Sequence, residues 1–84
     1  MIDKNETKEI VIKIIAEKLK REPSTVSESS TLQELGADSL DIIEIIMNVE
    51  EQFLIHIDDE KAEKLKTIED VVEYVYQLRL EKKD

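Results

Sequence analysis

Apolar residues recur along this chain at intervals of three and four, and no stretch alternates in the way a strand would. Ile10 and Ile14, and then Val11, Ile15 and Leu19, repeat at four-residue spacing and predict an amphipathic helix over roughly 5–20. Pro23 is expected to end it, because the residue before a proline is pushed out of the α region. Residues 23–38 are rich in Ser and Thr. So long an irregular stretch is unusual in a small domain and is often functional. Val26, Leu32 and Leu35 are placed to pin it to a core, with a short turn at Ser30–Gln33. Further on, Asp59–Leu65 is long enough for one or two helical turns. Thr67-Ile-Glu-Asp70 resembles a capping box ahead of Val71, Val72, Val75 and Tyr76, which predicts a last helix over roughly 68–80. The charged end, Glu81-Lys-Lys-Asp84, is expected to fray. The resulting fold class is all-α: one domain over 1–84, a small four-helix bundle of three longer helices and one short one. A long loop separates the first helix from the second.

The second helix, over roughly 39–53, carries the most information. At about 100° per residue, Ile42, Ile45, Ile46, Val49 and Phe53 fall on one stripe, which is its core face. Glu44 and Glu51 lie nearly opposite. Leu40 and Met47 also sit on that far side, about 140–160° from the centre of the stripe. Sizeable apolar side chains among carboxylates, facing away from the core, suit a partner-binding surface. The plainer reading is that single exposed apolar residues are ordinary and the acids keep the helix soluble.

Charge sharpens this picture. Lys and Arg number 12 against 21 Asp and Glu, a net charge of −9. That opposes nucleic-acid binding and an anionic membrane surface, and favours basic proteins or divalent cations as partners. The excess is local. Residues 38–63 hold Asp38, Asp41, Glu44, Glu50, Glu51, Asp58, Asp59, Glu60 and Glu63 against Lys61 alone, whereas residues 1–23 are nearly balanced. There is no cysteine, hence no disulfide and no thiol nucleophile. No apolar run approaches the roughly 20 residues that span a bilayer, and the N-terminus lacks the regions of a signal peptide. A cytoplasmic monomer is the expectation.

The acidic segment opens on Gly36-Ala-Asp-Ser-Leu-Asp41, which contains the only glycine in the chain. Asp38 is a good N-cap, Asp41 suits the positive end of the helix dipole, and Gly36 can supply a positive φ at the tight approach. Ser39 then falls in the first turn. A serine at a helix start is commonplace. As a conventional nucleophile Ser39 is unsuited: the setting is not G-x-S-x-G, His56 is the sole histidine, and carboxylates surround it. A phosphate ester does suit it, because a helix N-terminus offers amides and a favourable dipole to an anion.

Gly36–Phe53, GADSLDIIEIIMNVEEQF, resembles the attachment motif of acyl carrier proteins, of the stand-alone type that serves fatty acid synthesis. The similarity continues through IDDEKAEKLKTIEDVVEYV and, more weakly, over the first helix. The resemblance implies that Ser39 carries 4′-phosphopantetheine, transferred covalently from coenzyme A by a phosphopantetheinyl transferase. It implies that Asp38, Leu40, Asp41, Glu44, Met47 and Glu51 face partner enzymes with basic surfaces. Ile42, Ile46, Ile57, Leu65, Val71 and Val72 become candidates for a pocket sheltering the acyl chain. The implied role is carriage among synthase, reductase and dehydratase enzymes, with no catalytic residue of its own.

Two departures from the family pattern bear on local stability. Asp58 stands where the family often has proline, so the start of the third helix is expected to be looser. Leu19-Lys20-Arg21 lacks the usual glycine. Two alternative readings are a carrier for polyketide, aminoacyl or peptidyl units, and an acidic interaction module with Ser39 unmodified. No D-x-[DN]-x-[DN]-G-x5-E calcium loop exists. Loose divalent binding by Asp58, Asp59, Glu60 and Glu63 is compatible with the pattern; a dedicated metal site is not expected. His56 reads as a loop residue, and Tyr74 and Tyr76 as core and rim.

Overall fold

The order of elements in the computed structural model, which describes residues 2–82, follows the apolar periodicity. Four helices are present: α1 over Lys4–Leu19, α2 over Ser39–Phe53, α3 over Asp59–Lys64 and α4 over Ile68–Glu81. Among the described residues there is no strand, only an isolated bridge between Thr31 and Thr67. Lys83 and Asp84, on which the expected fraying partly falls, lie outside the described residues.

Helix α1 packs against both α4 and α2. Val11 and Ile15 of α1, Ile45 and Val49 of α2, and Val71, Val72 and Val75 of α4 are completely buried between them. Burial of branched aliphatics at this density is what stabilises so small a chain, at roughly 1.5–3 kcal/mol for each such side chain. Thr7 is the one buried polar residue among those described. Its hydroxyl donates to the Asp3 carbonyl at 3.0 Å and accepts from Arg79 Nη1 at 2.8 Å, so burying it leaves nothing unpaired.

Helix α1 stops at Leu19, ahead of the proline. Lys20 turns left-handed at φ 57°. The amides of Lys20 and Arg21 then fold back to the carbonyls of Glu17 and Ala16, at 3.4 and 2.9 Å. This closes the orphan carbonyls without the glycine that usually serves there. Pro23 opens a separate 3₁₀ turn over Pro23–Thr25.

The long loop is anchored on three sides. Val26, Leu32 and Leu35 are buried as expected, joined by Ala37. The turn within it lies over 32–36, a little beyond the expected Ser30–Gln33. Arg21 Nε donates to the Leu35 carbonyl at 3.2 Å, tying the end of α1 to the approach to α2. The carbonyls of Ser30 and Glu28 accept the amides of Ile68 and Glu69, at 3.1 and 2.9 Å, so the loop also closes the start of α4. Gly36, at φ +97°, makes the last bend before α2, a conformation open to glycine and strained for other residues.

Candidate functional site

Helix α2 begins at Ser39 because its two flanking acids close the first turn. Asp38 Oδ1 accepts the Asp41 amide at 2.8 Å, and Asp41 Oδ2 accepts the Asp38 amide at 3.2 Å. The pair is a reciprocal capping box, with aspartate where Glu or Gln is usual. The Ile42 amide, bonded to the Asp38 carbonyl at 3.0 Å, starts the helical ladder. Capping therefore rests on Asp38 and Asp41 and leaves the Ser39 hydroxyl out. Ser39 itself is exposed.

Beyond Ser39 the exposed side of α2 is apolar and acidic together. Leu40 is 62% and Met47 55% exposed, as the far-side reading anticipates. Ile43, not singled out from the sequence, is 54% exposed between them. It lies three residues after Leu40 and four before Met47, so the same periodicity that located the core stripe contained this signal. Glu51 is exposed, and Glu44 and Asp41 are half-buried. Glu44 holds an ion pair with Lys18 of α1. The hydrogen bond to Glu44 keeps the Lys18 ammonium above the usual lysine range. Partial dehydration opposes it, and the charges of Glu44, Asp41 and Asp38 add to it.

A cleft of about 590 Å³ opens between α2 and α3. Ile42, Ile43, Ile46 and Met47 form one wall, Ile57 and Ala62 part of the other, and Glu50, His56, Asp59 and Glu63 the rim. Ile42 and Ile43 follow Ser39 by three and four residues, so the cleft begins one turn along the helix from the serine, on the same side. Of the six residues suggested for a pocket, Ile42, Ile46 and Ile57 border this cleft. Leu65 is half-buried against the core, and Val71 and Val72 are fully buried within it. A second groove, between α1 and α2, has Ile14, Lys18, Asn48 and Glu51 in its walls.

The rim is held by a small polar knot. Glu50 Oε2 accepts the Ile57 amide at 2.8 Å and lies 3.4 Å from His56 Nδ1, while His56 Nε2 lies 3.1 Å from Asp58 Oδ1. Asp58 adopts φ −63°, the value a proline would impose, but its carboxylate makes no capping bond to α3. Among the described residues no group of three or more His, Asp or Glu side chains is arranged to hold a metal ion. Among the described residues no helix is long and apolar enough to cross a membrane.

Residues 9–75 match the family model described as the phosphopantetheine attachment site. An exposed serine at a helix N-terminus, with an apolar cleft beside it, fits that group: the hydroxyl can be esterified and the cleft can take what the arm bears. Fold and site thus define a phosphopantetheine carrier, with 4′-phosphopantetheine as its cofactor. The acyl carrier protein of Bdellovibrio bacteriovorus is 52% identical over 63 residues, covering 74% of this chain and 81% of that protein. The acyl carrier protein of Thermosynechococcus vestitus is 44% identical over 75 residues, covering 88% and 93%. The chain belongs to the acyl carrier protein family, whose members carry groups and do not catalyse. The solved acyl carrier protein of Enterococcus faecalis superposes with a TM-score of 0.77 at 29% identity, covering 92% of this chain and 99% of that one. An HMG-ACP domain of the CurA module from Lyngbya majuscula shares the fold, with a TM-score of 0.81 at 22% identity.

Proposed function

We propose that the chain, as a single carrier domain over 1–84, holds growing acyl groups on an arm at Ser39 and passes them among the enzymes of fatty acid synthesis. The observation that carries this reading is the division of labour at the start of α2. Asp38 and Asp41 cap the helix, so Ser39 presents an exposed hydroxyl with no structural duty in the cap. When bound, the phosphopantetheine supplies a terminal thiol that holds acyl groups as thioesters. The chain itself brings no cysteine to compete with that thiol.

The remaining residues serve delivery and shelter. Asp38, Asp41, Glu44 and Glu51 present negative charge around Leu40, Ile43 and Met47, a surface complementary to a basic rim with an apolar centre. Such charge steers encounter and permits quick release. Ile42, Ile46 and Ile57 border the cleft that would shield an acyl chain from water. Relatives of similar length named acyl carrier protein, at 44–52% identity, support the carrier role, and the fatty acid assignment extends the resemblance of Gly36–Phe53 to the stand-alone type.

Incubation with a phosphopantetheinyl transferase and labelled coenzyme A tests the attachment site. The wild type should gain one label and Ser39→Ala none; label on the Ala variant would place the attachment elsewhere. Intact mass of the protein from its own host tests the pathway. Saturated, 3-hydroxy and enoyl chains on the arm support fatty acid synthesis, whereas polyketide or aminoacyl masses would reassign it.

A further inference from the structure

Lys18 is the only lysine or arginine that pairs with a carboxylate of α2 among the described residues. It reaches across from α1 to the carboxylate of Glu44. Its side chain remains 29% exposed and that of Glu44 44%, so the pair lies at the surface and can be taken apart by a competing cation. Lys18 also shares a shallow groove with Glu44, Met47, Asn48 and Glu51, so its ammonium stands among the residues assigned to docking. We infer that Lys18 is an internal competitor for the docking face: it occupies Glu44 in the free protein, and a basic partner must displace it to gain that carboxylate.

This rests on the reading of α2 as the docking surface and adds a residue of α1 that governs its selectivity. The occupant is a partner presenting arginine. A guanidinium meets a carboxylate with two parallel hydrogen bonds, whereas an ammonium acts as a point charge. Displacing Lys18 by a single lysine exchanges like for like; displacement by arginine gains a second bond. Lys18 thereby filters weakly basic surfaces from those that can offer a fork. An exposed ion pair of this kind changes an equilibrium by about two- to five-fold, enough to rank partners without blocking any.

The test compares Lys18→Gln with Lys13→Gln. Both remove one positive charge from α1, but Lys13 is exposed and has no ion pair among those described, so it controls for net charge. The probe is a phosphopantetheinyl transferase acting on the apo protein, read as kcat/KM at low and high salt. Lys18→Gln should raise kcat/KM about two- to five-fold over Lys13→Gln at low salt, with the advantage shrinking as salt rises. In a Glu44→Gln background the advantage should vanish. Equal effects of the two lysine variants, or an advantage that survives Glu44→Gln, would overturn the inference. The docking surface is tested separately with Glu51→Lys. If that reversal leaves kcat/KM unchanged at low salt, the face itself is misassigned; if it lowers kcat/KM and Lys18→Gln does nothing, only the competitor role falls.

Discussion

Asp38 and Asp41 each accept the other's backbone amide, and between them they close the first turn of the helix that bears Ser39. Asp38→Ala should therefore cost about 1 kcal/mol, the ordinary worth of an N-cap, while Ser39→Ala should melt within about 0.5 kcal/mol of wild type. Asp41 serves both the cap and the proposed docking face. Asp41→Lys should lower both stability and partner affinity, and Glu51→Lys, at an exposed position outside the ion pairs of the described residues, affinity alone. Chemical denaturation alongside binding to a basic partner separates the two. A stable Asp41→Lys variant would mean that the reciprocal half of the cap contributes nothing.

Left-handed backbone occurs at Lys20, Gly36 and Leu54, with φ of 57°, 97° and 54°. A side chain in that region costs roughly 1–2 kcal/mol, offset in part by the greater chain entropy of glycine when unfolded. Lys20→Gly should accordingly stabilise the protein by about 0.5–1 kcal/mol, and Gly36→Ala should destabilise it by about 1 kcal/mol. A Cβ at Gly36 would meet nothing within 4 Å, so its cost is conformational and not steric. Thermal melts of the two variants should move in opposite directions.

The position of the cleft decides how an acyl chain should affect stability. Each methylene buried there should add about 0.8 kcal/mol to the folded state, so Tm should climb with acyl length and level off when the cleft is full. Ala62→Phe, on the cleft wall, should bring that plateau to shorter chains. Val72→Phe should not tune it, because Val72 is fully buried in the core and a larger ring there costs roughly 1–3 kcal/mol by overpacking. A Tm independent of acyl length would mean that the chain stays outside.

Asp70 links the start of α4 to pH. Its carboxylate accepts the amides of Thr67 and Lys66, both at 3.1 Å, and the Thr67 bond foremost holds its pKa below the usual carboxylate range. A carboxyl depressed by folding contributes stability above the unfolded value near pH 4, and that contribution is lost as pH falls through the lower folded value. Asp70→Ala should thus be less stable than wild type at pH 7, with the gap closing below about pH 4. Urea midpoints at pH 7 and pH 3 provide the comparison; an equal gap at both would remove the ionised carboxylate from the explanation.

Much of this architecture was legible because it is written in local pattern. The bounds of α2, the box at Thr67 and Asp70, and the burial of Val26, Leu32 and Leu35 all follow from periodicity and cap chemistry within a few residues. What escaped were bonds between segments remote in sequence: Arg21 to Leu35, Lys18 to Glu44, and the carbonyls of Glu28 and Ser30 to α4. Periodicity fixes which side of a helix is apolar and leaves open which neighbour that side meets. For the same reason the aliphatics of the cleft and of the core look alike in sequence. Ile46 and Val72 are chemically equivalent until α3 is placed, and only then does one border an opening while the other is enclosed.

The bonds from Ile68 and Glu69 to the loop make two distant events inseparable. Peeling the loop away would leave the first two amides of α4 without their partners, although the Thr67–Asp70 box would remain, and fraying the first turn of α4 would release the loop that leads to Ser39. The loop around Glu28–Ser30 and the beginning of the final helix should open to solvent as one cooperative unit. Hydrogen exchange at those two amides would then serve as a clock for excursions of the attachment loop, read from a helix remote from it in sequence.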